Sequence, residues 1–84
     1  MYEIAWSKRA VRDLKRIHKP DVEKIYTAVQ KLRSWPECKH VKQLKEQEYK
    51  YRLRIGSYRI FFDIDDLVKV GWIERVKKRD ERTY

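Results

Sequence analysis

Cationic and apolar residues alternate along two neighbouring stretches in the second half of the sequence. Every second position before Gly56 carries a cation, namely Lys50, Arg52 and Arg54, and Arg59 follows after the glycine. Side chains alternate between the two faces of a strand, and glycine suits a tight turn that needs positive φ. The pattern therefore predicts a β-hairpin with a strongly basic face. Like charges opposite one another destabilise a sheet, so we expect this face to bind an anion.

The two-residue turn at Gly56-Ser57 predicts the register of the hairpin. The expected cross-strand pairs are Ile55 with Tyr58, Arg54 with Arg59, Leu53 with Ile60, and Arg52 with Phe61. The same alternation places the apolar face on Tyr49, Tyr51, Leu53, Ile55, Tyr58, Ile60 and Phe62.

Such a surface permits cleavage of RNA without a metal ion or a histidine. The 2′-hydroxyl of the substrate attacks the neighbouring phosphate, so the protein must orient it and stabilise the developing charge. Arginine suits the second task because its guanidinium binds phosphate bidentately and keeps its charge. We expect the charges of Arg52 and Arg59 to lower the pKa of Lys50, which could then act as a general base. Phe61 or Tyr84 could stack on exposed bases.

The charge of the whole chain points in the same direction. Its 84 residues include 22 Lys and Arg but only 13 Asp and Glu, which gives a formal net charge of +9. This excess favours a polyanionic partner, such as nucleic acid, an acidic protein or an anionic membrane surface. From the residues alone, a basic face that only docks an acidic partner fits as well as RNA cleavage does. The length predicts one domain over residues 1–84.

Other familiar kinds of site lack their residues. With only Gly56 and Gly71 as glycines, the chain has no glycine-rich phosphate loop. Cys38 and His40 could supply two metal ligands, but no second pair completes a site. We therefore expect no metal and no other cofactor. A single cysteine favours a reducing cytoplasm, and no apolar run approaches the length of a membrane span.

The elements before the hairpin are predicted from helix signals and apolar spacing. We expect a strand over Tyr2–Trp6 and a helix capped by Ser7 that runs to about Ile17. A second helix should begin near Pro20 and run to about Ser34. The two inward stripes are predicted as Ala10, Val11, Leu14 and Ile17, then Val22, Ile25, Tyr26, Val29 and Leu32.

A polar connection over residues 37–48, anchored by Val41 and Leu44, should lead into the hairpin. A final strand is expected over Val68–Lys77. The predicted fold is α+β with the order β-α-α-β-β-β. In it, a twisted antiparallel sheet carries two helices on one face and leaves the basic face open.

The register of the final strand follows from its hydrophobic pattern, which is the strongest determinant of register. A two-residue turn would place Lys69 beside core-facing Phe62. A three-residue turn at Asp65–Leu67 instead pairs Phe62 with Val70, and we therefore expect the longer turn. It would add to the basic face Lys69, Arg75 and Lys77.

The predicted order of elements and three stretches of residues resemble the RelE/ParE superfamily of toxin–antitoxin toxins. The stretches are Tyr49–Arg54, Gly56–Arg59 and Lys78–Tyr84. The resemblance covers nearly the whole chain and is strongest from Tyr49 onward. It implies the fold of that superfamily and, for RelE-type members, a ribosome-dependent endoribonuclease that cuts mRNA in the decoding site and inhibits translation.

The resemblance implies roles for five residues. Lys50 would activate the attacking hydroxyl, and Arg52 stands where RelE has lysine, so the charge persists. Arg59 would stabilise the transition state. Arg79 matches the arginine assigned to the leaving group, where its high pKa favours charge stabilisation. Tyr84 resembles the terminal tyrosine that stacks on or orients the substrate, although it lies one residue closer to Arg79 than in RelE. Further RNA contacts are predicted at Arg54, Phe61, Lys77, Lys78 and Arg82.

The same resemblance implies the partners. The toxin would act on the ribosome and its mRNA, and a cognate antitoxin would hold it inactive, with a toxin–antitoxin heterotetramer as one allowed assembly. A positive charge of +9 suits an acidic antitoxin segment. The alternative is a ParE-type toxin, which has this fold, acts on DNA gyrase and does not cleave RNA. Such toxins typically lack the full set of basic residues found here, which favours RNA cleavage.

Overall fold

In a computed structural model that describes residues 1–78, two helices cover one face of a five-stranded mixed sheet. The spatial order of the strands is β1-β5-β4-β3-β2. The elements are β1 (Glu3–Trp6), α1 (Lys8–Lys15), α2 (Lys19–Gln30), β2 (Val41–Gln43), β3 (Tyr51–Ile55), β4 (Tyr58–Asp65) and β5 (Val70–Lys78). A 3₁₀ turn, Lys31–Ser34, extends α2.

Both predicted helices are confirmed. The Ser7 hydroxyl accepts a hydrogen bond from the backbone N–H of Ala10 at 3.0 Å, so α1 has the expected cap. The second helical segment ends at Ser34, as predicted, with its last turn tightened to 3₁₀ geometry. The inward stripes are correct except at Val11 and Tyr26, which are 40% and 54% exposed, and at Val22, which is half-buried and does not join the core.

The central hairpin has the predicted register. Arg54 pairs with Arg59, and Leu53 pairs with Ile60. Gly56 adopts a φ of 53°, the left-handed conformation that this turn requires. Tyr49 departs from the expected pattern, because β3 begins only at Tyr51. Its ring contacts Phe61 on the outer face instead of the core.

The predicted register of the final strand is wrong. Phe62 pairs with Ile73 instead of Val70, and the turn extends to Lys69, which adopts a φ of 59°. A β-bulge follows between the partners of Phe61 and Phe62, where Glu74 is the extra residue. The turn has four residues, Asp66–Lys69, instead of the predicted three, and this reverses the faces of residues 70–73, whereas the bulge returns Arg75 and Lys77 to their predicted face.

Lys69 therefore leaves the basic face, where the sequence had placed it. Its ammonium lies 5.3 Å from the centre of the Tyr2 ring, at the turn between β4 and β5. Arg75 and Lys77 do lie on the expected face, since they pair with Phe61 and Arg59.

Two further features of the sheet differ from the prediction. β1 pairs with β5 in the parallel direction, so the sheet is mixed and not wholly antiparallel. Alternation in a sequence carries no information on strand direction. The connection after α2 contains β2, in which Val41 pairs with Leu53 of β3. A strand of three residues with one apolar side chain gives little periodic signal.

The core lies between the helices and the inner face of the sheet. The sheet contributes Leu53, Tyr58, Ile60, Phe62, Ile73 and Val76, and the helical segments contribute Ala10, Ile25, Val29 and Leu32. Each fully buried aliphatic or aromatic side chain contributes about 1.5–3 kcal/mol to folding. Because this burial determines which face turns inward, it presents the alternate residues of β3, β4 and β5 on the outer face. No helix within residues 1–78 is long and apolar enough to span a membrane.

Candidate nucleic-acid interface

The outer face of the sheet carries a row of three cations across three strands. Arg54 of β3 pairs with Arg59 of β4, and Arg59 pairs with Lys77 of β5. The next row on this face runs from Arg52 of β3 through Phe61 of β4 to Arg75 of β5. We call Arg52, Arg54, Arg59 and Lys77 the cationic half of the outer face.

The cationic side chains are close enough to perturb one another. Burial and then the positive charges of Arg59 and Arg54 lower the pKa of Arg52. The Nε atoms of Arg52 and Arg59 are buried, and neither has a hydrogen-bond partner within residues 1–78. An unsatisfied buried donor costs about 1–3 kcal/mol. An anion bound on the outer face would neutralise the charge of these guanidinium groups.

Arg75 is withdrawn from the cationic half by a partner that the sequence did not reveal. Its Nε and Nη2 donate to the Asp13 carboxylate at 2.8 and 3.1 Å, and the backbone N–H of Val76 donates to the same group at 2.9 Å. Burial alone would raise the pKa of Asp13, but these hydrogen bonds and the charge of Arg75 lower it below its ordinary value. The pair ties α1 to the edge of β5.

An aromatic pair borders the cationic half. The rings of Tyr49 and Phe61 lie 5.7 Å apart, with a tilt of 39°. Burial and the nearby Glu48 carboxylate raise the pKa of the Tyr49 hydroxyl. Phe61 was a predicted contact, whereas Tyr49 was assigned to the apolar face. The sequence signal that could have placed Tyr49 at this site is its position next to Lys50. The backbone bends before β3, so the alternation of faces does not extend to Tyr49.

Lys50 lies just before β3, with an exposed side chain. Its backbone N–H donates to the Asp63 carboxylate at 2.9 Å, and its carbonyl accepts from the backbone N–H of Leu44 at 2.8 Å. These bonds position its backbone next to the strand that carries Arg52.

The structure brings together some of the predicted residues and separates one. Lys78 pairs with core-facing Tyr58, so the register places it on the helix side of the sheet. Arg79, Arg82 and Tyr84 lie outside the described residues. The predicted residues on the outer face are Arg52, Arg54, Arg59, Phe61 and Lys77. Residues 1–78 hold no cluster of three or more His, Cys, Asp or Glu side chains suited to a metal ion.

The other end of the outer face has the opposite character. One row runs from Glu3 through Val70 to Asp65, and the next runs from Ala5 through Trp72 to Asp63. We call these six residues the acidic half. At its boundary with the cationic half, burial and then the charge of Asp63 raise the pKa of Glu74.

Comparison with known proteins places this architecture. The sequence matches the family model described as ParE toxin of type II toxin–antitoxin system, parDE, over residues 4–83. No curated protein matches the chain.

Solved structures have the same fold. A chain of the RelBE2 toxin–antitoxin complex from Mycobacterium tuberculosis is 27% identical with a TM-score of 0.79, and the match covers 93% of this chain and 98% of that one. The RelE–RelB complex from Pyrococcus horikoshii OT3 matches at 23% identity and a TM-score of 0.79, covering 96% and 98%. The isolated Escherichia coli RelE toxin matches at 15% identity and a TM-score of 0.79, covering 99% and 89%. The architecture is thus the RelE-like fold.

Proposed function

The chain belongs to the ParE toxin family of type II toxin–antitoxin systems, and we propose that it is a ribosome-dependent mRNA endonuclease. In this proposal it cuts mRNA in the decoding site, and a cognate antitoxin keeps it inactive. The family premise establishes a toxin of the RelE/ParE fold. The choice of RNA as the target is our inference from the cationic half.

The observation that carries the proposal is a cluster of cations beside an aromatic pair. Arg52 and Arg59 gather on one face with buried Nε atoms that have no partner within residues 1–78. Carboxylate and phosphate both fit the planar donor geometry of a guanidinium group, so our choice of RNA rests on the aromatic surface beside these cations. Phe61 lies between these cations and the Tyr49 ring, so it offers an aromatic surface to a base.

The proposed reaction uses the substrate as its own nucleophile. The 2′-oxygen attacks the adjacent phosphorus, the bond from phosphorus to the 5′-oxygen breaks, and the 5′-oxygen takes a proton from water, which leaves a 2′,3′-cyclic phosphate and a 5′-hydroxyl. Arg59 and Arg52 stabilise the charge that develops on the phosphate oxygens. Lys50 accepts the proton of the 2′-hydroxyl. Arg79 stabilises the leaving oxygen and Tyr84 orients the base, as the resemblance implies.

The antitoxin is proposed from the family and from structural neighbours that are toxin–antitoxin complexes. A net charge of +9 would attract an acidic segment over long distances and speed association. Such a segment over Arg52 and Arg59 would neutralise the same charges that phosphate is proposed to neutralise.

The proposal is tested by inducing the protein in a host cell and following mRNA and DNA separately. We expect mRNA cuts at defined positions within codons soon after induction, together with arrest of translation and unchanged DNA supercoiling. Intact mRNA accompanied by gyrase-linked DNA breaks would overturn it.

The second candidate is gyrase inhibition without nuclease activity. The observation that favours it is the match to a ParE toxin model over residues 4–83. A supercoiling assay with purified gyrase distinguishes the two candidate functions. Gyrase inhibition at concentrations of this chain that leave mRNA on programmed ribosomes uncut would support the second candidate.

A further inference from the structure

Exposed apolar side chains are concentrated at the end of the sheet opposite the cationic half. Within residues 1–78 six large apolar residues are exposed, and four of them lie at this end. They are Met1, Leu67, Val68 and Trp72, with exposures of 92%, 91%, 59% and 44%. Trp72 belongs to the acidic half, and the others flank it at the N-terminus and the turn after β4. Scattered exposed apolar residues need no explanation, whereas a group of them marks a contact surface.

The turn that presents two of these residues is held in place. The Asp65 carboxylate accepts hydrogen bonds from the backbone N–H groups of Leu67 and Val68, at 3.0 and 3.2 Å. The Tyr2 hydroxyl donates to Asp66 at 2.6 Å and ties the N-terminal segment to the same turn. Because the turn is already ordered, little conformational entropy of the turn is lost when a partner binds there.

Carboxylates outnumber cations around this apolar group, where Glu3, Asp63, Asp65 and Asp66 lie with Lys69 and the N-terminal ammonium. Glu3 and Asp65 are exposed, and within residues 1–78 neither forms a salt bridge. Asp63 lies beside Trp72 on the same face. In a chain with a net charge of +9, this end would repel phosphate and attract cations.

We propose that the acidic half, together with Leu67 and Val68, docks a protein segment in which lysine or arginine alternates with apolar residues. The apolar side chains of the segment would cover Trp72 and Leu67, and its cations would pair with Glu3 and Asp65. The segment therefore differs in charge from the acidic antitoxin segment expected on the cationic half. This proposal does not rest on RNA cleavage, since it concerns a different surface.

The test is an NMR titration of the isotope-labelled full chain with a short synthetic peptide of alternating leucine and lysine. A matched peptide of leucine and glutamate serves as the control ligand. We expect the leucine–lysine peptide to shift the Trp72 indole signal and the amide signals of Leu67 and Val68 saturably. The leucine–glutamate peptide should leave these signals in place.

Matched variants distinguish docking from nonspecific attraction. Leu67→Ser with Val68→Ser should weaken binding about tenfold, because apolar contacts at an interface are lost while the net charge is unchanged. Val11→Ser with Tyr26→Ser removes exposed apolar side chains from the helices and should leave the affinity unchanged. Unperturbed core signals verify that both variants are folded.

Three results would overturn the proposal. They are equal binding by the Leu67/Val68 variant, equal shifts with the leucine–glutamate peptide, and shifts of the same signals by single-stranded RNA alone. Loss of RNA cleavage by the chain would leave the proposal intact, so its failure is distinct from failure of the proposed function.

Discussion

The two halves of the outer sheet face share strands β4 and β5 but carry opposite chemistry, with β3 contributing only to the cationic half and β1 only to the acidic half. On β4, Arg59 and Phe61 belong to the cationic end, while Asp63 and Asp65 belong to the acidic end. The bulge at Glu74 lies between them. A single sheet face can therefore present two surfaces to partners of opposite charge, because alternation decides only which residues point outward. The charge of those residues is free to change along the strand.

The largest effect that separates the halves is expected from Arg59→Ala. Loss of a group that stabilises developing charge should lower the cleavage rate on programmed ribosomes about 10²–10³-fold. Arg54→Ala is the matched control, because Arg54 lies directly opposite Arg59 and has the same charge but an exposed side chain. The control should retain cleavage within about tenfold, through weakened binding alone. Equal losses in the two variants would contradict the assignment.

A smaller effect, on stability, is expected from Asp13→Asn. The change leaves the Arg75 guanidinium without its carboxylate, which accepts hydrogen bonds at 2.8 and 3.1 Å. The free energy of unfolding should fall by about 1–3 kcal/mol, measured by urea denaturation. Glu23→Gln on the exposed side of α2 should change it by less than about 0.5 kcal/mol. A loss below that limit for Asp13→Asn would show that the pair does not anchor α1.

Much of this comparison was predictable, and the exceptions have physical causes. Gly56 determined the hairpin register, so the opposition of Arg54 and Arg59 followed from local turn chemistry. Lys69 occupies a left-handed conformation that its residue type does not signal, so the next register was missed.

Long-range features were also beyond the sequence. Asp13 and Arg75 are 62 residues apart, and no periodicity connects them. The bulge at Glu74 reverses the alternation within β5, which is why both Ile73 and Val76 are buried. The residue-type pattern thus predicted the cationic half well and gave no indication of the acidic one.

The salt dependence of RNA affinity should change modestly on substitution in the cationic half and remain unchanged on substitution in the acidic half. For a single-stranded RNA made uncleavable by 2′-deoxy substitution, the logarithm of affinity should fall with the logarithm of salt concentration, with a slope of about −0.7 for each neutralised phosphate. Arg54→Ala should reduce the slope by about one such contact. Glu3→Gln, in the acidic half, should leave it unchanged. An equal change from both variants would mean that RNA is not confined to the cationic half.

The smallest expected effect is a change in stability with pH. The pKa of Glu74 is raised above 4.5, so its ionised form is disfavoured in the fold. The free energy of unfolding should increase as pH falls through the raised pKa towards 4.5. The pKa of Asp13 is lowered below 3.8, so its contribution is present above 3.8 and is lost as pH falls further.

Glu74→Gln should remove the increase that precedes pH 4.5 and leave the acid loss due to Asp13 in place. Thermal denaturation over a pH series measures both. Persistence of the increase in the variant would assign it to another group.

We propose that the cationic half cleaves mRNA on the ribosome. The most direct measurement maps the 5′ ends of a defined mRNA after purified protein is added to ribosomes that carry it, with ribosome-free mRNA alongside. We expect cuts within the decoding-site codon, a 5′-hydroxyl on the downstream fragment, and no cuts in the absence of ribosomes. Intact mRNA on ribosomes that bind the protein would contradict it.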